Sequence, residues 1–582
     1  MELSLKRNPI SVWRILQNNL LNGVVFVSHL IENVQVINAR ASSVIAHFCD
    51  SLKVVEHIND RVSLDSQRAE MSPGEAIKAL VINLLVKREP LYRVREFYET
   101  MDIQNLFGKA WKADDFNDDR LGRALEKLAK SDLPGIYYAI AREALEKEGI
   151  LLDQAHFDTT SLPVQGIYET AGSEESPLKI EFGHSKDRRP DLKQLMFGLG
   201  SVEGIPLFAD VMNGNTSDKT WNGTMALRIK DLLPKEALHS MVTIADSAMV
   251  TEENLKIFGD RPFISRFPEN FKLCKILKKQ AFENEADWVQ VGKLADKKNA
   301  ASYRIQGIST ELYGRNYRFA VVHSSALDQR KQKKIDRQVE SEQAKAEKSI
   351  KDWSSVEYHC QEDAAAYLDE CLNTPLKYHQ ITGQVIRRER IKRRPGRPSK
   401  TETAPVQTFY ICEFSLIKDD ARIQNERERE STFVLISNLS RDKEPGSLGL
   451  LRRYKAQIDV ENLFRALKHP YFVHGVFLKN EARVLGLCYV LVIGLLLYAL
   501  LQRRIRVKIA EEKTPLRLYG KDFYSPTGKT ILEQFDYVNV IEYRDPVTGE
   551  KKTVANIPET TRLILIWLGL DETIYLDRRN TG

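Results

Sequence analysis

The chain has 582 residues, enough for a large core and, by length, for several domains. Its 86 lysines and arginines against 80 aspartates and glutamates leave a net charge of only +6, so any surface for a polyanion must be local. Six cysteines lie scattered without a CxxC pair, which argues against a zinc knuckle or disulfide framework and fits a reducing compartment, and no secretory leader is expected from the first twenty residues.

Residues 1–148 read as a helical domain with possible contacts to DNA ends. In SPGEAIKALVINLL, Ser72 is the N-cap, Pro73 opens the helix and Glu75 completes a capping box, with Ile77, Leu80, Val81, Leu84 and Leu85 on one stripe. A second helix, DDRLGRALEKLAK, carries Leu121, Leu125 and Leu128 on its face. Arg93, Arg95, Arg120 and Arg123 suit DNA phosphates and an ordinary solvated surface equally well.

From residue 149 to 267 the pattern changes to strands. LLDQAHFDTTSL gives a strand reaching Asp158, and LKQLMFGLGSVEGIPLFADV gives two strands joined at Glu203–Gly204. TSDKTWNGTMALRIKDLL reads as a helix, Met241 to Ala245 as a strand ending at Asp246, then a helix capped by Thr251 and the short strand RPFISRF. One acid on the first strand and another after the fourth predict a mixed sheet with its reactive edge at strand ends.

Residues 268–445 read as a folded insertion. QRKQKKIDRQVESEQAKAEKSIKDW is a charged helix whose usual meaning is a solvated face. Trp288 and Trp353 suit core packing, or stacking on a flipped base. Between Arg387 and Lys400 stand eight basic residues and one acid, and Pro395 to Pro398 resembles an AT-hook, with proline at 395 in place of arginine.

Residues 446–510 hold LLRRYKAQIDVENLFRALKHP. On one continuous helix, Tyr454, Glu461 and Lys468 would form a line beside the apolar face of Val460, Leu463, Phe464 and Leu467, although a surface charge row is the plain alternative. Val484 to Leu501 is an apolar run best read as a core helix, with a membrane span as the alternative. In residues 511–582 a hairpin is expected with its turn at Asp545 to Glu550.

Two strand aspartates, a long insertion and then Y-x2-Q-x3-E-x6-K resemble the catalytic domain of DDE transposases from prokaryotic insertion sequences. The signature of the insertion-sequence-four superfamily is Y-x2-R-x3-E-x6-K, and GHSKDRRPDLKQL and GNTSDKTW resemble its branch with a helical N-terminal domain. The resemblance implies an α/β fold: a ribonuclease-H-like mixed sheet with helices, preceded by a helical domain and interrupted by a large insertion. The intervals, 246 − 158 = 88 and 461 − 246 = 215 residues, leave room for that insertion.

It also implies Asp158, Asp246 and Glu461 as catalytic residues and metal ligands for two Mg2+ ions, with Mn2+ able to substitute. Tyr454, Gln457 and Lys468 would touch DNA, Gln457 standing where the signature has arginine. Arg387, Arg388, Arg390, Lys392, Arg393, Arg394 and Arg397 would add phosphate contacts. Asp153, Asp187 and Asp191 compete for the first acid position, but only Asp158 lies in the HFDTTSL context.

The expected activity is cleavage at element ends and strand transfer into target DNA, by a cytoplasmic, nucleoid-associated homodimer that binds terminal inverted repeats and no membrane. A nuclease that cuts without joining and an inactive DNA-binding regulator are the alternatives.

Overall fold

A computed structural model describes residues 34–63, 71–166, 168, 177–295, 299–326, 329–391, 406–444, 446–470, 472, 478, 480–545 and 548–576. The chain divides into two compact units, Met1–Phe263 with Arg453–Gly582, and Ile264–Arg452.

The first unit opens with a short strand, β1 (Gln35–Ile37), and then a helix, α1 (Pro73–Val86), that starts where its residues dictate. Ser72 Oγ accepts the Glu75 N–H at 3.2 Å and Glu75 Oε2 accepts the Ser72 N–H at 2.9 Å, while Pro73 has no donor to lose. The expected apolar stripe is buried, and so is every other residue of α1. Its charged residues are tolerated there because partners reach them. Lys78 Nζ donates to Asp50 Oδ1 at 2.5 Å and to the Leu106 carbonyl at 2.8 Å, and Lys109 meets Glu75 at 2.8 Å. Burial still lowers Lys78 to about 8.

Next, α2 (Asp118–Ala129) buries Leu121, Leu125 and Leu128, as the spacing requires, and α3 (Leu133–Glu148) lies against the sheet. Arg93, Arg95 and Arg120 form ion pairs with Glu96, Glu99 and Asp115.

The sheet of this unit begins with an antiparallel meander of β2 (Gln154–Val164), β3 (Lys193–Val202) and β4 (Ile205–Met212). Glu203 and Gly204, at φ 47° and 81°, make the two-residue turn between β3 and β4, both left-handed as strand twist demands. A helix, α4 (Asp218–Leu232), leads to β5 (Val242–Ala245), which pairs parallel to β2 and gives the order β4-β3-β2-β5. A meander extended by a parallel strand that returns through a helix is the ribonuclease-H-like form of a mixed α/β sheet. Gly198 lets α4 approach: a Cβ there would stand 2.2 Å from the Trp221 ring.

The chain enters the second unit along β6 (Phe263–Arg266). There β7 (Val289–Lys293), β8 (Ser302–Leu312) and β9 (Arg315–Ser324) form consecutive antiparallel pairs. The charged helix α5 (Gln329–Trp353) follows, and then a separate three-stranded sheet of β10 (Glu357–Tyr358), β11 (His379–Ile391) and β12 (Val406–Lys418). A short helix, α6 (Asp420–Glu430), leads into β13 (Thr432–Ser437), which pairs with β9. Both tryptophans of this unit have packing partners: Trp288 donates to the Ala281 carbonyl at 2.8 Å under the Arg304 guanidinium, and Trp353 meets Phe414 at 5.6 Å.

After α7 (Ser447–Lys455), the first unit resumes with α8 (Ile458–Leu467) and the 32-residue helix α9 (Glu481–Glu512). The apolar run belongs to α9, and 94% of its most apolar stretch is buried inside the protein. It packs on α1, α2 and β4, with Gly486 so close to the Leu125 backbone that a Cβ would come within 2.5 Å of the Leu125 carbonyl oxygen. The expected terminal hairpin forms from β14 (Asn539–Arg544) and β15 (Lys551–Asn556), closed by the Asp545 N–H on the Glu550 carbonyl at 2.8 Å. β14 also pairs with β1, so the hairpin joins distant parts of the sequence in one small sheet.

Candidate active site

Strand register brings the two aspartates together. Phe157 on β2 stands opposite Ala245 on β5 in parallel pairing, and each is followed by an acid, so Asp158 and Asp246 lie on neighbouring strands, which run about 4.8 Å apart. All four residues of β5 are buried, and the chain turns immediately after Asp246 into a single 3₁₀ turn that this residue caps. The turn explains the acid: Asp246 Oδ1 accepts the Ala248 N–H at 3.1 Å while the carboxylate stays at the end of the sheet.

Both carboxyls are held above their ordinary range. Burial pushes Asp158 up to about 6; the Lys186 ammonium and the Thr159 N–H, at 2.8 Å from Oδ1, oppose the rise, and Asp246 and Asp218 add to it. Asp246 is raised first by burial and then by Asp218, against the Ala248 N–H, Lys186 and a hydrogen bond from Asn222.

Two residues that sequence reasoning did not single out complete this cluster. Asp218 is the first residue of α4 and accepts a short hydrogen bond from the Thr159 hydroxyl. Lys186 Nζ lies 3.2 Å from Asp218 Oδ2 and 4.0 Å from Asp158 Oδ1, and it donates to the Thr159 carbonyl at 2.8 Å and to the Thr159 Oγ1 at 2.6 Å. One ammonium is therefore shared among the acids. The signal was present in the phrases GHSKDRRPDLKQL and GNTSDKTW, but no local pattern marks which of their polar residues faces the strand acids.

Glu461 is in the first turn of α8, a helix that lies against β2 and β3 through buried Val460, Leu463, Phe464 and Leu467. Its carboxylate is exposed. Among the described residues, no group of three or more His, Cys, Asp or Glu side chains is already arranged to hold a metal ion. Asp459 turns elsewhere, into a cavity of about 630 Å³ shared with Arg503 and Arg506; burial raises it and the two arginines lower it.

The line of Tyr454, Glu461 and Lys468 along one helix does not form. Between α7 and α8 the chain tightens: Gln457 N–H bonds the Tyr454 carbonyl and Val460 N–H bonds the Gln457 carbonyl, both at 3.2 Å and three residues apart, so the rotation accumulated over a continuous helix is lost. Half-buried Tyr454 belongs to α7, Gln457 caps α8, and Lys468 ends α8. Lys468 Nζ grips both oxygens of Asp187, at 2.6 and 2.7 Å. Since Asp187 follows Lys186 in the chain, these two residues tie the end of α8 to the aspartate cluster.

The competing acids have other partners: Asp153 pairs with Arg453 at 2.7 Å, and Asp191 with Arg189 at 2.7 Å. In the second unit, Arg387, Arg388 and Arg390 lie on β11, paired with Glu389, Glu413 and Glu357. Lys392, Arg393, Arg394, Arg397 and the AT-hook-like segment lie outside the described residues.

A model for a domain of unknown function, DUF4277, matches residues 34–142, a stretch that ends before β2 and contains none of these acids. No curated protein matches the chain. Among solved structures, a piggyBac transposase synaptic complex with hairpin DNA, determined by cryo-electron microscopy, is similar over 87% of this chain and 82% of that one, at 7% identity and a TM-score of 0.35.

Proposed function

We propose that this protein is a DNA transposase of the DDE type, which cleaves at the ends of its own mobile element and joins the freed 3′ ends to target DNA. The observation that carries this reading is the parallel register that seats Asp158 beside Asp246, both raised by burial and by neighbouring acids. These desolvated carboxylates stand beside the Lys186 ammonium, which contacts Asp158 and Asp218, and their hard oxygen donors suit Mg2+, or Mn2+ in its place.

Asp158 and Asp246 would hold the ions, with Glu461 as the third ligand from α8. When bound, such ions activate the attacking oxygen and stabilise the leaving one. The chain's own residues do the positioning. Thr159 and Lys186 fix the aspartate end of the site, Lys468 holds the Asp187 loop beside it, and Tyr454, Gln457 and the β11 arginines with the basic segment after them would contact DNA strands. Held together as two ends in a homodimer, terminal repeats and target DNA would be the partners, in the cytoplasm at the nucleoid.

Asp246→Asn tests this on a plasmid bearing the flanking ends of the element. Nicking and joining should both fall at least ~100-fold, as loss of a metal ligand requires. Joining that persists undiminished would remove Asp246 from the chemistry, and cutting by the unaltered protein without any joined product would reduce the activity to that of a nuclease.

A further inference from the structure

The second unit carries a basic groove that the proposed chemistry does not use. It has a volume of about 760 Å³ and runs along α5, where Arg330, Lys333, Lys334, Arg337 and Lys345 face it, with Lys377 across from them. At 100° per residue, the five cations on α5 fall within an arc of about 120°. Buried Ile335, Val339 and Ala346 occupy the opposite side of the helix, and Ile335 and Val339 dock on Tyr378 and Ile423. The stripe is therefore a presented face, fixed by the apolar anchor behind it.

Lys377 is paired with Glu426 at 2.7 Å, but most of the charge on the α5 stripe is not neutralised from within. Elsewhere on exposed helices, lysines meet carboxylates one turn away, as Lys256 meets Glu252 at 2.7 Å. Among the described residues, Lys333, Lys334, Arg337 and Lys345 have no carboxylate within ion-pairing distance. Glu342, the acid that lines the groove, is turned inward: it accepts the Lys377 and Tyr378 N–H groups at 2.9 and 2.7 Å and faces the His379 ring at 3.0 Å. A concave surface with unbalanced positive charge concentrates the field on whatever enters it.

From Arg330 to Lys345 the stripe extends fifteen residues, about 22 Å at 1.5 Å per residue, which matches the rise of six or seven base pairs at about 3.4 Å each. We infer that this groove on α5 is a sequence-independent docking site for the sugar–phosphate backbone of duplex DNA. The inference rests on DNA being the substrate of the chain. It adds a second place, in the other unit from the one that carries the acids, where the duplex is held.

The test is binding of full-length protein to a fluorescent 30-base-pair duplex of arbitrary sequence, in chelator, by anisotropy across a salt series. A variant carrying Lys333→Gln, Lys334→Gln, Arg337→Gln and Lys345→Gln should bind at least ~10-fold more weakly near 100 mM salt, and its slope of log K against log salt should be shallower by about 3. The charge-retaining set Lys333→Arg, Lys334→Arg, Arg337→Lys and Lys345→Arg should restore both. Wild-type affinity and slope in the glutamine set would overturn the inference, as would a folded charge-retaining set that binds as poorly as the glutamine one. Metal-dependent nicking, measured separately, distinguishes the two readings: normal duplex binding through the groove without any nicking counts against the transposase reading alone, whereas undiminished binding by the glutamine set with nicking intact counts against the groove alone.

Discussion

Asp158 in the first unit and Glu342 in the second are carboxylates of similar exposure, 22% and 19%, driven in opposite directions by what surrounds them. Burial raises both. At Asp158 little offsets it: one backbone N–H and a lysine shared with other acids leave the carboxyl at about 6. At Glu342 the His379 ring and two backbone N–H groups outweigh burial, and the carboxyl lies below its usual value. The same residue class is thus a stabilising joint in one place and an electrostatic liability in the other. A fold that keeps such a liability is the more informative, because its cost near neutral pH is one that a bound cation would relieve.

The largest effect should separate chemistry from this liability. Glu461→Gln should lower metal-dependent nicking at least ~100-fold yet leave the melting curve of the metal-free protein within about 0.5 kcal/mol of wild type, since the side chain is exposed. A nicking rate near wild type would remove α8 from the site.

Asp158→Asn should also abolish nicking, but it should stabilise the metal-free protein. A carboxyl whose folded value is raised contributes fully to stability below its unfolded value, near pH 4, and loses that contribution as the pH climbs through about 6. Asparagine carries no charge to lose, so the variant should gain up to about 3 kcal/mol over wild type at pH 8 and nothing at pH 4. Melting in chelator across that range measures it, and equal curves at pH 8 would refute the liability. Lys186→Met should act the other way by about 1–3 kcal/mol at pH 8, less at pH 5, because it withdraws the ammonium that Asp218 and Asp158 share.

Much of the first unit was legible in its residues. The Ser72 capping box, the Glu203–Gly204 turn, the Thr251 cap and the strands bearing Asp158 and Asp246 all follow from local chemistry. Register was not legible, and it is register that seats Asp158 next to Asp246; the placement of Lys186, before β3, and of Asp218, at the head of α4, was not legible either. The break at Ala456–Gln457 was equally silent: neither residue is a glycine or proline, so nothing in KAQI marks where the helix tightens. In α1 the apolar stripe was correct as far as it went, but partners for Lys78 and Glu75 come from residues as distant as Leu106 and Lys109, and no helical periodicity contains them.

The smallest effect completes the contrast. Glu342→Gln keeps the shape of the side chain but removes its charge and leaves one acceptor where two served the Lys377 and Tyr378 N–H groups and the His379 ring. A carboxyl held below its ordinary value contributes stability above its unfolded value of about 4.5 and loses it as the pH falls through the lower folded one. The variant should therefore melt about 1 kcal/mol below wild type at pH 7 and converge with it in acid, the reverse of the Asp158→Asn profile. Since the same change takes negative charge from the α5 groove, it should leave duplex binding unchanged or slightly tighter, and weaker binding would show that Glu342 shapes the groove as well as bracing it.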